Sequence, residues 1–316
     1  MSATGGGRPV HRPGAWPSSA DERSAPRRRV RRASVLGALW RSSHPGPTVV
    51  VSTLSLLLGT AAGLDLSRLA LLVGAVFAGQ LSVGWSNDAI DARRDGTVGR
   101  LDKPIARGEI SARGVGSAAG AALLLALALS ALLGAGFLAA HAVALASAWS
   151  YNLWLKRTAA SVAPFAVSFG LFPSLATLAG ADPMVASPWA TAAGAALGIA
   201  VHFSNVLPDL DDDAATGVRG LPHRVGGRAS AIIAFAALTA GAAAVALGGA
   251  LLAGTRGEVS IAVLVAGLGL LGVVVIGATG LVRALRNPDR VVFRLVMLAA
   301  LVLVLQLALT GVRLAG

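Results

Sequence analysis

Apolar residues in this chain run in long unbroken stretches separated by short polar breaks. They show neither the period of two of a half-buried strand nor the narrow stripe of a surface helix. Nine stretches can be marked, at about 47–64, 68–90, 114–132, 134–153, 160–180, 187–207, 229–252, 259–282 and 292–312. Each approaches the roughly 20 residues that a helix needs to cross a hydrocarbon core. Barrel strands would alternate apolar and polar positions over about ten residues, and the continuous runs exclude them. The pattern predicts an all-α polytopic membrane protein with about nine transmembrane helices.

Composition agrees with this reading: 55% of the 316 residues are hydrophobic, 13% are charged, and the mean hydropathy is +0.71. A net charge of +12 raises the question of a nucleic-acid partner. The distribution of that charge answers it. With the N-terminus in the cytoplasm, the inside segments are 1–46, 91–113, 154–159, 208–228 and 283–291. They hold 24 of the 27 Lys and Arg residues when Arg294 is assigned to the nearer inside face. Arg68, Arg256 and Arg313 stay outside. The bias predicts an N-in, C-out topology, and the excess charge is a topology signal rather than a nucleic-acid surface.

The first 33 residues are rich in Arg, Pro, Ser and Gly and carry no apolar run. They predict a disordered cytoplasmic tail, whose Arg27, Arg28, Arg29, Arg31 and Arg32 suit contact with anionic lipid. Residues 34–316 then form one transmembrane domain. No cleavable signal peptide is visible. The absence of cysteine excludes disulfides and thiolate metal sites.

Two polar stretches stand out against this background. NDAIDARRD and NVLPDLDDD share the frame N-x-x-x-D-x-x-x-D, as Asn87, Asp91, Asp95 and as Asn205, Asp209, Asp213. The same offset of 118 residues aligns Gly99 with Gly217, Pro104 with Pro222 and Gly108 with Gly226. This register predicts an internal duplication. The frames end the second and sixth spans, an even separation, so the repeat is parallel and both acidic clusters open on the cytoplasmic side of one central cavity.

A spacing of i, i+4, i+8 advances about 40° per step on a helix, which makes Asn87, Asp91 and Asp95 one stripe. Asp209 and Asp213 are expected to repeat that geometry. Nine of the 15 acidic residues lie in the two patches. Clustered carboxylates beside hydrocarbon are costly and call for positive compensation. Mg²⁺ meets that need, since it takes oxygen ligands and commonly binds through one or two carboxylates plus substrate phosphate. The metal candidates are Asn87, Asp91, Asp95, Asp209 and Asp213, with Asn205 as a further neutral donor. A solvated acidic loop at a membrane boundary is the plainer alternative. Lys103, Arg107, Lys156, Arg157 and Arg224 lie at cytoplasmic ends, where they could grip a diphosphate. The positive-inside rule would place a cation at each of these positions as well.

Taken together, these residues resemble the UbiA superfamily of intramembrane prenyltransferases. The first frame followed by KPIARGEIS at 103–111 is similar to the superfamily's first signature. YNLWLKRT at 151–158 resembles its short loop after the fourth helix, and NVLPDLDDDAATGVRGLPHRVG at 205–226 its second aspartate signature. RSSHP at 41–45 is faintly similar to its first-helix segment, and the resemblance covers about residues 35–316. It implies a helical bundle around a cavity that opens to lipid and is capped by cytoplasmic loops. It also implies that an isoprenyl diphosphate is bound through Mg²⁺ at both motifs, ionised, and captured by an acceptor. On this resemblance Asp91, Asp95, Asp209, Asp213, Lys156 and Arg157 are the catalytic candidates. Lys103 stands where the superfamily more often has Arg, which weakens bidentate phosphate gripping there.

Tyr151 is a candidate π donor to an allylic cation, or an interfacial belt residue. His202, three residues before Asn205, is a candidate acceptor contact, or a structural hydrogen bonder. The expected partners are an isoprenyl diphosphate, an unidentified acceptor and membrane lipid, in the plasma membrane with the site facing the cytoplasm. A terpene cyclase begins with the same ionisation and remains open. An ion-coupled transporter would place its charges near the bilayer midplane, whereas these cluster at helix ends.

Overall fold

The computed structural model describes residues 34–97, 99–100, 102–254, 260–287, 289–310 and 314. The tail with its arginine cluster, and the two outside residues Arg256 and Arg313, lie outside the described residues. Among the described residues all regular structure is helical. The helices are α1 (Val35–Ser42), α2 (Pro45–Ala61), α3 (Leu66–Thr97), α4 (Ala112–Leu132), α5 (Ala135–Leu153) and α6 (Ala163–Leu178). They continue with α7 (Pro188–Val206), α8 (Leu210–Ala215), α9 (Leu221–Val225), α10 (Gly227–Gly254), α11 (Ser260–Arg286) and α12 (Arg290–Thr310).

Local chemistry explains where several begin. Ser34 and Ser111 cap α1 and α4, each accepting from the N–H three residues on at 3.1 Å. Pro45 and Pro188 open α2 and α7, where a missing N–H costs nothing. Six helical stretches are long and apolar enough to cross a membrane: Leu66–Thr97, Ala112–Leu132, Ala159–Leu178, Pro188–Ala215, Gly227–Gly248 and Gly267–Arg286. Pro45–Ala61 is apolar but shorter.

Neighbouring helices pack in sequence, α2 on α3, α3 on α4 and α5, α5 on α6, α6 on α7, α7 on α10, and α10 on α11. Contacts of α11 with α12 and of α12 with α2 close the ring. Leu54, Leu72, Phe137, Leu238 and Val296 are buried between the helices. Leu124, Leu132, Leu268 and Leu271 point outward, as lipid-facing positions should.

Two close approaches shape the interior. A Cβ at position 84 would overlap the Ser43 carbonyl, so Gly84 lets α3 pass against the junction of α1 and α2. Gly194 and Gly198 likewise let α7 lie against the α6 backbone at Phe169 and Phe165.

The two acidic frames differ in backbone. Helix α3 continues to Thr97, past the apolar stretch, so Asn87, Asp91 and Asp95 share one helix. The second frame does not repeat that geometry, which corrects the expectation. Pro208 has no N–H to give and its ring crowds the preceding turn. The chain leaves α7 at Val206, tightens into a 3-10 turn at Leu207–Asp209, and restarts as α8.

Candidate functional site

The last turns of α3 carry Asp91 and Asp95, which are 3% and 4% exposed. Burial this deep demands compensation for each carboxylate. Arg94, three residues after Asp91 on the same face, provides part of it. Its guanidinium lies 3.1 Å from Asp91 Oδ2 and 3.6 Å from Asp95 Oδ1. It also lies 3.8 Å from Asp213 Oδ1 on α8. The two frames, 118 residues apart in sequence, therefore meet around a single cation.

Further cations reach the same space. Lys156, in the 3-10 turn that follows α5, is buried and pairs with Asp91 Oδ1. Burial pushes its ammonium below the usual lysine range, against the pull of Asp91. Arg290, which opens α12, lies 3.9 Å from Asp209 Oδ1. Arg100 forks onto Asp102 at 3.1 and 3.2 Å. That bond raises the arginine's proton affinity and holds the carboxyl below its usual range.

Asp88 faces a different way from the stripe. Its Oδ1 accepts from Lys103 Nζ at 2.5 Å and lies 3.0 Å from His44 Nε2. His44 joins α1 to α2 with a left-handed backbone, φ 55°. Among the described residues it is the non-glycine that takes this conformation, which costs energy and marks a constrained position. Asn87 donates to Asn152 Oδ1 at 3.3 Å and to Asp91 Oδ2 at 3.4 Å. Asn152 in turn donates to Ser86 Oγ at 2.8 Å and to the Val83 carbonyl at 3.0 Å. These bonds fasten α5 to α3.

The charged groups line a cavity of about 640 Å³, whose wall includes Asp91, Arg94, Asp95, Lys156, Asp209 and Asp213. Lys103, Arg100, Asn87, Asn205 and Tyr151 line it as well. An apolar chamber of about 220 Å³ continues from it, sharing Asn87, Tyr151, Asn205, Phe293 and Met297. Tyr151 packs edge-on against Phe165, ring centres 5.0 Å apart.

Four expected site residues stand off this wall. Arg157 and Arg224 are exposed and line neither space. Consecutive residues in the 3-10 turn diverge, so Lys156 turns inward and Arg157 outward. Arg107 is exposed and donates to Glu109 at 2.7 Å. His202 is buried, with Nε2 3.0 Å from Ser161 Oγ, which also accepts from the Leu221 N–H at 2.8 Å. It ties α7 to the 3-10 turn before α6, and through Ser161 to the start of α9, and its ring centre lies 4.8 Å from that of Phe165. Sequence reasoning missed Arg94, Arg100 and Arg290. The i, i+3 spacing from Asp91 could have found Arg94, but nothing local marks Arg290.

Among the described residues, no three His, Cys, Asp or Glu side chains are gathered tightly enough to hold a metal ion unaided. The acids are instead spread around Arg94. An all-oxygen donor set of this kind fits a hard divalent cation that completes its shell with water and phosphate oxygens.

The family model described as the UbiA prenyltransferase family matches residues 47–297. No curated protein matches the chain. Among solved structures, the apo structure of a UbiA homolog from Aeropyrum pernix K1 is similar at 18% identity and a TM-score of 0.66, covering 82% of this chain and 95% of that one. A UbiA homolog from Archaeoglobus fulgidus bound to GPP and Mg²⁺ is similar at 15% identity and a TM-score of 0.64, covering 86% and 99%. A structure from work on digeranylgeranylglyceryl phosphate synthase in membranes gives 15% identity and 0.62, covering 88% and 99%.

Proposed function

The chain belongs to the UbiA prenyltransferase family, and from that premise we propose a specific reaction. The protein is an Mg²⁺-dependent intramembrane enzyme that ionises an isoprenyl diphosphate and transfers the prenyl group to an aromatic or other lipid-precursor acceptor. The observation that carries this reading is the meeting of Asp91, Asp95 and Asp213 at Arg94, on the wall of a cavity whose far end is apolar. A solved homologue of the same fold holds GPP and Mg²⁺, which supports the same ligand class here.

Asp91, Asp95, Asp209 and Asp213, with Asn87 and Asn205 as neutral oxygen donors, would hold Mg²⁺. When bound, it supplies positive charge that stabilises a departing diphosphate. Lys156, Lys103 and Arg100 bind phosphate oxygens from the wall. The C–O bond of the substrate breaks and its electron pair leaves with the diphosphate. Tyr151 and Phe165 stabilise the resulting allylic cation through their rings, and the apolar chamber keeps water away from it. The acceptor forms the new bond and gives up a proton.

The same reading includes nine crossings, an N-in, C-out orientation and a plasma-membrane site that opens to the cytoplasm. It also includes the parallel duplication. Gly99 and Gly217 both have positive φ, 69° and 81°, as do Gly108 and Gly226, 69° and 83°. The Arg100 N–H donates to the Asp95 carbonyl at 3.0 Å, and its counterpart 118 residues on, Val218, donates to Asp213 at 2.9 Å. Equal backbone solutions at equal offsets support two copies of one unit.

The experiment is to incubate the purified protein with C10 to C20 diphosphates, Mg²⁺ and a panel of acceptors. Products containing acceptor support transfer, and hydrocarbon or terpene alcohol alone supports cyclisation. Diphosphate release that survives EDTA would sink the metal-assisted reading.

A further inference from the structure

Polarity falls steadily along the interior. The charged cavity gives way to the chamber lined by Tyr151, Phe165 and Phe169. Beyond it lies an apolar crevice of about 50 Å³, lined by residues such as Leu54, Phe172, Trp189 and Leu303. Among the described residues, Phe169 alone borders both the chamber and the crevice. Phe169 therefore stands at the boundary between the two spaces.

That side chain is held in place from behind. Phe165, Phe169 and Phe172 follow one another at i, i+4 and i+7, so they share one face of α6. The absence of side chains at Gly194 and Gly198 seats the α6 backbone directly on α7, and a Cβ at 198 would come within 2.9 Å of Phe169 Cβ. The Phe169 and Phe172 rings lie 6.4 Å apart. A backbone clamped in this way has no slack with which to carry the ring aside.

We propose that Phe169 sets the length of the prenyl chain the enzyme accepts, by closing the chamber at its apolar end. The inference rests on the reading that this site binds an isoprenyl diphosphate. With the head group among the aspartates and cations, the tail extends past Tyr151 and Phe165 and meets the Phe169 ring. A longer tail would have to enter the crevice, which the ring blocks. In Phe169→Ala the chamber and the crevice become one space, and additional isoprene units gain apolar surface to bury.

The test uses the full chain in detergent with non-hydrolysable thiolodiphosphate analogues carrying C5, C10, C15, C20 and longer prenyl chains. Affinity for each is measured with Mg²⁺ in the wild type and in Phe169→Ala, Phe169→Leu and Phe172→Ala. Wild-type affinity is expected to rise with chain length and then fall at one length. Phe169→Ala should move that fall to a longer chain by at least one isoprene unit, with about a tenfold gain for the first analogue the wild type rejects. Phe169→Leu should lie between the two, and carries the test if the alanine variant does not fold. The C5 affinity should stay constant, and Phe172→Ala, which enlarges only the space behind the ring, should keep the wild-type profile. Identical profiles for wild type and both Phe169 variants would overturn the proposal while leaving the diphosphate site standing. So would a Phe172→Ala profile shifted as far as that of Phe169→Ala. If the wild type binds none of the analogues, the functional reading itself fails.

Discussion

Arg94→Ala removes the guanidinium that Asp91, Asp95 and Asp213 share at 3.1, 3.6 and 3.8 Å. At an effective dielectric constant near 20, unit charges about 4 Å apart attract by about 4 kcal/mol. Desolvation of the ions offsets most of that attraction, and removing one partner of a buried pair costs about 3–5 kcal/mol net. The Arg94 side chain keeps 20% of its surface exposed, so the lower end, about 3 kcal/mol, is expected in EDTA. Magnesium should narrow that gap without closing it. In the wild type a divalent cation has to compete with Arg94 for the same oxygens. In the variant it does not, and the uncompensated carboxylates favour it more. Without diphosphate, Mg²⁺ is expected to bind the variant about tenfold more tightly, which is about 1.4 kcal/mol. The assay is thermal unfolding in detergent, titrated with Mg²⁺ at constant ionic strength so that general screening is held fixed. A variant whose stabilisation by Mg²⁺ equals or falls below that of the wild type would refute the idea that Arg94 occupies the metal's ligands.

Three further outcomes follow from the same geometry. Asp91→Asn and Asp213→Asn should each lower diphosphate release by at least about 10²-fold, read as turnover at saturating Mg²⁺; activity near wild type in either would remove that residue from the site. Lys156→Gln deletes the ammonium paired with buried Asp91. It should lower kcat, because a phosphate-binding cation is lost, whereas exposed Arg157→Gln should change turnover less than about threefold, well short of a buried charge-pair effect. Gly194→Ala puts a methyl group into the Phe169 carbonyl and should cost about 1–3 kcal/mol in thermal unfolding. Gly120→Ala, with open space around it, should be neutral or stabilising by up to about 1 kcal/mol.

How much was legible in advance varied with the kind of contact. Apolar runs report the solvent around each segment, so the helical membrane class was readable from the chain. The register of Asn87, Asp91 and Asp95 was readable too, because the period of a helix converts spacing into a shared face. The same rule failed for Asp209 and Asp213, where Pro208 outweighs periodicity and turns the backbone. Arg157, expected beside Lys156 from the resemblance alone, is exposed because neighbouring residues in a tight turn point apart.

What the sequence determined by itself, then, is the chemistry available: oxygen donors in two matching frames, cations nearby, and helices long enough to cross a bilayer. Only the tertiary structure decided which of those groups face one another. Arg94 bridges the two frames, Arg290 comes to Asp209 from the start of α12, and Lys156 rather than Arg157 reaches Asp91. The position of Phe169 between two apolar spaces was decided there as well. The physical reason is range. Periodicity and propensity act over a few residues, whereas a charge pair or a cavity wall is fixed by where distant helices pack, and local sequence does not encode that distance.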